Sequence, residues 1–425
     1  MRMTERHRAA AAAPADRGRR PRTGAAAFGV LAAAALAAGL AGPPPAAAAP
    51  QDAAAPNEAT FNTPGGDQIV AHLEELIRSA PAGATVQTAQ YRMRDERITD
   101  ALAAAAERDV HVQVLVDADT VDDPAYTALK GALEQTGDPK SWAKSCDTAG
   151  KGACNGTNAM HNKFLLLSQA GEENDVVATG SANLSGATMG GTGGWNSYYT
   201  DYGNTGLYER FTGYFADLAK VADGDAKRDP DYYDTNPPQI TGDTKSYFSP
   251  REDGTGDDTY YNSLKSVDCK AQPTEIRVGM WTITRTGISD KLNELARQGC
   301  TVDIVASQIN DKACKALTAS TPSRMSVRGF TDPEKNGIHQ KNMTIRGHYL
   351  DNDTEVVFTG SHNWNYLSRR NNDENVVRIM NNGTVFASFL ANFDAVQKAA
   401  TVPIEDSGDC DKIVAPTRTA EREAE

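Results

Sequence analysis

His161 and Lys163, in the segment MHNKFLLL, recur 178 residues later as His339 and Lys341, in IHQKNMTI. Each pair is followed by a Gly-Ser-x-Asn turn: Gly180, Ser181 and Asn183 after the first, Gly360, Ser361 and Asn363 after the second. Histidine is the side chain whose unperturbed pKa lies closest to neutrality, so two histidines facing one substrate can act in turn as nucleophile and proton donor. Lysines two residues further along a strand point to the same side and supply positive charge where a phosphoryl group gathers negative charge. The asparagine amides, with the serine hydroxyls beside them, offer hydrogen bonds to the same oxygens. A single His-x-Lys is most often a strand-edge histidine beside a solvated lysine. Two copies with the same downstream turn point to one site assembled from two halves.

The elements that must position these residues are doubled too. At an offset of 190, VQTAQYRMRDERITDALAAAAERDVHVQVLVD faces IRVGMWTITRTGISDKLNELARQGCTVDIVAS, with Ile98 over Ile288, Asp100 over Asp290, Leu102 over Leu292 and Val112 over Val302. Repeats that share periodicity over such a span imply two copies of one supersecondary unit. Apolar spacing predicts a helix over 66–79, a strand over 84–91, a helix over 95–108 and a strand over 110–116, a βαβ unit with parallel strands. Buried strands follow at 163–167 and 175–179, joined by the polar turn 171–174, then a helix at 207–221. The second half repeats this order with strands at 341–345, 355–359 and 375–380 and a helix at 385–399. Because the offset falls from 190 to 178 at the histidines, the first half carries about twelve extra residues there. That insertion holds Cys146 and Cys154 and runs directly into His161.

The paired motifs resemble the phospholipase D superfamily, whose signature in each half is His-x-Lys, then Asp, then Gly-Ser-x-Asn. The resemblance spans roughly residues 58 to 400. It implies an α/β fold of two pseudo-symmetric α/β/α halves, each a mixed, mostly parallel sheet with helices, with the active site at their interface. It also implies metal-independent phosphodiester transfer through a phosphohistidine, without a cofactor. Carried onto this sequence, His161 is the nucleophile, His339 protonates the leaving alcohol, and Lys163, Lys341, Asn183 and Asn363 hold the phosphate, with Ser181 and Ser361 placed among the substrate ligands. The run NNDENVV resembles the segment whose acid bonds the histidine of the opposite half, which points to Glu374, with Asp373 as its neighbouring alternative. The counterpart of Glu374 in the first half is Asn196, expected in the binding site as a neutral amide for His339. The chain departs from the signature at its aspartates, where Ser168 and Arg346 stand. Trp195, Trp364, Tyr198, Tyr199 and Tyr366 are candidates for the rim of the cleft.

Length and composition set the outer limits. A chain of 425 residues suits one large or two ordinary domains. Residues 1–49 read as a secretory signal peptide, with Arg17, Arg19, Arg20 and Arg22 before the apolar run from Ala25 to Leu40. Then come a linker at 50–57, the first half at 58–222, a second linker at 223–243, the second half at 244–400 and a tail at 401–425. The protein is therefore expected to be secreted. The formal charge of −13 becomes −18 once the seven arginines and two acids of 1–49 are removed. An acidic surface without a basic stripe disfavours non-specific binding to phosphate backbones. The six cysteines of an exported chain should form disulfides, Cys146 with Cys154 across their short loop and the other four in one of three pairings. No Cys or His spacing suggests a metal site. The leading expectation is a monomeric phospholipase D-like phosphodiesterase acting on phospholipid, with transient contact with a membrane surface. A nuclease of the same superfamily, using Arg92, Arg94, Arg369 and Arg370, and a non-catalytic lipid- or polyanion-binding module are the alternatives.

Overall fold

Two helices show how local sequence builds the scaffold. In α2 (Glu96–Glu107) the Asp95 side chain caps the first turn by accepting from Arg97 N, and Ile98, Ala101, Leu102 and Ala105 form the buried stripe. Its counterpart α7 (Thr286–Gln298) buries Ile288, Leu292, Leu295 and Ala296 and stops at Gly299, whose φ of 116° suits a residue without a Cβ. The computed structural model describes residues 56–146, 152–186, 188, 190–191, 193–251, 258–319 and 323–413. The signal-like segment and the last twelve residues of the tail lie outside them.

In the first half the remaining elements are β1 (Glu58–Asn62), α1 (Gln68–Ser79), β2 (Thr85–Gln90), β3 (His111–Val116), α3 (Pro124–Thr136), β4 (Trp142–Ser145), β5 (Lys163–Ala170), β6 (Glu173–Gly180), β7 (Asn196–Asp201) and α4 (Thr205–Ala222). The segment 223–243, expected as a plain linker, contains α5 (Tyr232–Thr235) and β8 (Gln239–Thr241). The second half follows with β9 (Thr244–Ser249), α6 (Thr259–Leu264), β10 (Glu275–Ile283), β11 (Thr301–Ile309), α8 (Asp311–Thr318), β12 (Met325–Gly329), α9 (Pro333–Asn336), β13 (Lys341–Tyr349), β14 (Asn352–Gly360), α10 (Tyr366–Arg370), β15 (Glu374–Met380), α11 (Gly383–Ala399) and β16 (Val402–Pro403).

The strand order β1-β7-β6-β5-β2-β3-β4 in one sheet is matched by β9-β15-β14-β13-β10-β11-β12 in the other, which adds β8 and β16 at its edges. The two pseudo-symmetric halves and their mixed sheets are as expected, but the sheets are not mostly parallel. Only β2, β3 and β4, and likewise β10, β11 and β12, run parallel, and every other pair is antiparallel. Parallel pairing needs a crossover, which α2 and α7 supply, whereas the strands after each His-x-Lys are joined by tight turns that return the chain antiparallel.

Both faces of each sheet are covered, which explains the continuous apolar runs. In β6, Val176 and Ala178 pack against α1, α2 and α3, while Val177 faces α4 and the other half. In β14, Val356 and Phe358 pack towards α6, α7 and α8, while Val357 joins Val177 in the shared central core with Phe211, Phe215 and Phe389. The disulfides are Cys146–Cys154, Cys269–Cys300 and Cys314–Cys410. The first is the expected pair, and the other two select one of the three pairings left open.

The β13–β14 hairpin turns through Leu350 and Asp351, with φ of 51° and 61°. Two positive φ values in a two-residue loop are the geometry that Asn-Gly adopts with least strain. Replacing the pair by Leu350→Asn and Asp351→Gly should raise stability by about 1 kcal/mol, measurable as a higher midpoint in guanidinium titration.

Candidate active site

Each histidine is tied to the other half of the molecule. Met160 bridges Asp373 and Ile338 bridges Trp195 in matching parallel pairs. His161 N donates to Asp373 O at 3.0 Å, and His339 N donates to Trp195 O at 2.8 Å. The side chains repeat the crossing: His161 Nδ1 lies 2.8 Å from Glu374 Oε2, and His339 Nδ1 lies 2.9 Å from Asn196 Oδ1. All four of these residues, with Lys163 and Lys341, are 0% exposed, so the site is enclosed.

These contacts set the tautomers. A carboxylate can only accept, so His161 carries its proton on Nδ1 and presents the Nε2 lone pair to the site. The Asn196 amide Nδ2 donates to Gly191 O at 2.7 Å, which turns Oδ1 towards His339 and gives that ring the same tautomer. Lys341 Nζ sits 3.0 Å from His339 Nε2 and 2.7 Å from His339 O, and Lys163 Nζ donates to His161 O at 2.7 Å. Burial first, then the charges of Lys341 and Lys163 and the neighbouring His161, hold His339 well below the usual histidine range. An anion bound between the lysines would cancel part of that repulsion and raise the ring's affinity for a proton. Burial pushes the Glu374 carboxyl up, against the charges of His362 and Lys163 and the hydroxyls of Ser361 and Ser368.

The serines of the two turns, expected among the substrate ligands, bond the orienting groups. Ser361 Oγ donates to Glu374 Oε2 at 2.6 Å, and Ser181 Oγ donates to Asn196 Oδ1 at 2.9 Å. Asn196 meets His339 as the expected neutral amide, and both ends of that amide are engaged within the protein. A hydroxyl buried at the end of a strand bonds the nearest acceptor, and in each half that is the orienting side chain. Asn183 and Asn363 are both buried. A Cβ built on Gly190 would lie 2.8 Å from Asn183 Nδ2 and 3.5 Å from His339 Nε2, which sets the first half's amide close to the second half's ring.

Asp373, the alternative to Glu374, does different work. Its carboxylate accepts from Cys154 N, Asn155 N and Gly156 N at 2.6, 3.0 and 2.9 Å, while burial pushes its pKa up to about 7. It fastens the disulfide-bearing insertion to the strand that delivers Glu374. At the positions of the missing aspartates, Ser168 Oγ accepts from Thr85 N at 2.8 Å, and Arg346 pairs with Glu355 at 3.0 Å. The histidines therefore draw their orientation from across the interface.

Four residues near the histidines were not anticipated. The Tyr91 ring lies 5.1 Å from that of His161, with Lys163 Nζ 5.0 Å over it, and Trp281 lies 5.7 Å from His339. Asp117 Oδ2 accepts from Met160 N at 2.8 Å, and Ser307 Oγ donates to Ile338 O at 2.8 Å, each steadying the residue before a histidine. Tyr91 faces Trp281 and Asp117 faces Ser307 at the offset of 190, so the repeat itself held the signal. Of the expected rim aromatics, Tyr198, Tyr199 and Trp364 are packed away at 0% exposure, Trp195 is buried, and Tyr366 is exposed.

A family model, "Cardiolipin synthase, PLD-like domain", matches residues 73–197 and 269–397, the two segments that contribute this site. The chain belongs to this phospholipase D-like family. The PLD-like halves also match solved structures. The phosphatidylserine synthase of Haemophilus influenzae Rd KW20 aligns at TM-score 0.58 and 12% identity, over 83% of this chain and 88% of that one. The polyphosphate kinase of Porphyromonas gingivalis aligns at TM-score 0.53 and 16% identity, over 80% of this chain and 50% of that one, so this chain spans half the kinase's length. At such identities the likeness shows the fold. No curated protein matches the chain.

Proposed function

We propose that this protein is a secreted phospholipase D-type phosphodiesterase that cleaves the distal phosphodiester bond of glycerophospholipids, releasing the head group and phosphatidate. The observation that carries the reading is the crossed pair: two buried histidines from opposite halves, each with Nδ1 held by a partner across the interface, one a carboxylate and the other an amide. With the anionic substrate bound, His339 takes up a proton on Nε2; His161 Nε2 then attacks phosphorus, the bond from phosphorus to the head-group oxygen breaks, and that oxygen takes the proton from His339 Nε2. The phosphorylated ring carries positive charge that Glu374 stabilises. Water then yields a proton to His339 as its oxygen attacks phosphorus, freeing His161. An alcohol in place of water would give transphosphatidylation. Lys163 and Lys341 neutralise the non-bridging oxygens.

The acidic balance favours a lipid over a polyanionic nucleic acid, and the disulfides of all six cysteines support export. The test is head-group release from a panel of phospholipid vesicles in chelator, beside DNA degradation under the same conditions. Release from lipid is expected. Degradation of DNA without release from any lipid would overturn the reading in favour of a nuclease.

Glu374→Gln keeps the shape but not the charge. It should lower kcat by about 10²-fold or more with a smaller change in KM, because the charge matters most once the ring is phosphorylated. Steady-state kinetics would show this, and a loss confined to KM would contradict it.

A further inference from the structure

This inference rests on the lipid reading and concerns the alcohol that leaves or attacks at His339. The two Gly-Ser-x-Asn turns are followed by different segments. After Asn363 the chain forms α10 (Tyr366–Arg370). After Asn183 it runs through Gly186, Gly190, Gly191, Gly193 and Gly194 before Trp195. Backbone and side-chain bonds fix the middle of that glycine-rich run. Asn183 N donates to Gly190 O at 2.8 Å, and the Asn196 amide whose oxygen meets His339 donates to Gly191 O at 2.7 Å. Gly191 N in turn donates to Thr188 O at 3.0 Å. Gly190 is thus held between a motif asparagine and the orienting partner of His339.

Gly190 faces the atom that must exchange the proton. A Cβ added to it would stand 3.5 Å from both Nε2 and Cε1 of His339, in van der Waals contact, and 2.8 Å from Asn183 Nδ2, which is too close. Lys341 Nζ approaches the same Nε2 at 3.0 Å. An ammonium and a residue without a side chain therefore both border this nitrogen. An oxygen that gives or takes a proton there lies about 2.9 Å from Nε2, so the carbon bonded to that oxygen falls in the same shell as the missing methyl. The leaving oxygen and the attacking oxygen use the proton of one nitrogen, and one position serves both.

We propose that Gly190 sets the size of the alcohol admitted at His339, and that the room it leaves lets unbranched primary alcohols compete with water for the phosphohistidine. In that transfer the alcohol gives its proton to His339 Nε2 and its oxygen forms a bond to phosphorus. The bond from phosphorus to His161 Nε2 breaks, and its electron pair returns to the ring. The products are a new phosphodiester and free His161.

The experiment measures how one intermediate divides. The protein is given soluble short-chain phosphatidylcholine with a fixed concentration of ethanol or of 2-phenylethanol, and phosphatidyl alcohol is measured relative to phosphatidate. Both products arise from the same phosphohistidine, so their ratio is independent of the folded fraction and of how fast the intermediate forms. In the wild type both alcohols should give transfer product. Gly190→Ala should lower the ratio for 2-phenylethanol about tenfold or more and the ratio for ethanol less, and Gly190→Ser should show the same order. Displacement of Asn183 by the added methyl would slow every acceptor alike and leave the ratios unmoved. Gly191→Ala is the control, because a Cβ there would first meet Gly186 O, Ser185 Oγ and Asn183 O. It disturbs the same run and should leave both ratios near the wild type. Equal falls in the Gly190 and Gly191 variants, or no fall in Gly190→Ala, would overturn the assignment. So would wild-type hydrolysis without transfer to either alcohol, which leaves the lipid reading intact. Phosphatidate formed from no lipid, with single-stranded DNA degraded, would overturn the lipid reading and this inference with it.

Discussion

His161→Ala is expected to lower turnover by about 10⁴-fold or more, and His339→Ala is expected to fail in a different way. Without His161 there is no nucleophile, so no covalent intermediate should form on any substrate. Without His339 the nucleophile remains, and a diester with a good leaving group such as p-nitrophenol needs little protonation to depart. That variant should release one burst of p-nitrophenol and then stall, because nothing activates water. Quenching it and mapping the modified peptide should recover phosphate on His161.

The direction of the assignment comes from the partners. Glu374 can offset the positive charge of a phosphorylated ring, whereas Asn196 offers His339 a neutral acceptor. Burial and two nearby lysines make protonated His339 a stronger acid than an ordinary histidine, which suits the delivery of a proton to a leaving alkoxide. A burst from the His161→Ala variant, with phosphate recovered on His339, would reverse the roles.

Much of this site was legible because repetition is visible in one dimension. The offset of 178 paired His161 with His339 and Asn196 with Glu374, and the resemblance to a known family supplied the crossing. The partners of Ser181 and Ser361 were not legible, since a serine two residues before an asparagine of the motif is chemically able to bind either phosphate or protein. Only the folded positions of Asn196 and Glu374 show which protein group each hydroxyl meets. Sheet polarity was misjudged because apolar runs such as FLLL and VVF report burial on both faces and are silent on strand direction. Asp373 shows a further limit: nothing in its neighbourhood in the sequence announces that it binds Cys154, Asn155 and Gly156, which lie more than 200 residues away.

Removing the Cys314–Cys410 disulfide, by Cys314→Ser with Cys410→Ser, should be the most destabilising change that leaves the site's own residues intact. The bond spans 96 residues, and chain-entropy reasoning assigns a loop of that size about 4–5 kcal/mol, against about 2.5 kcal/mol for the eight-residue span of Cys146–Cys154. The longer bond also secures a segment that the sequence presents as a tail. Ile404 and Ile413 join the second half's core, Ile404 N donates to Val327 O at 2.9 Å, and β16 pairs with the sheet edge. Denaturant titration should show the larger loss of midpoint for this pair. Activity should follow the opposite order. The Cys314–Cys410 variant should keep most of its kcat at temperatures where it is folded. Opening Cys146–Cys154 should lower kcat out of proportion to stability, because that loop's backbone holds Asp373, whose neighbour Glu374 holds His161. If instead kcat falls in proportion to stability in both variants, the insertion acts as a fold clamp and has no special part in placing the nucleophile.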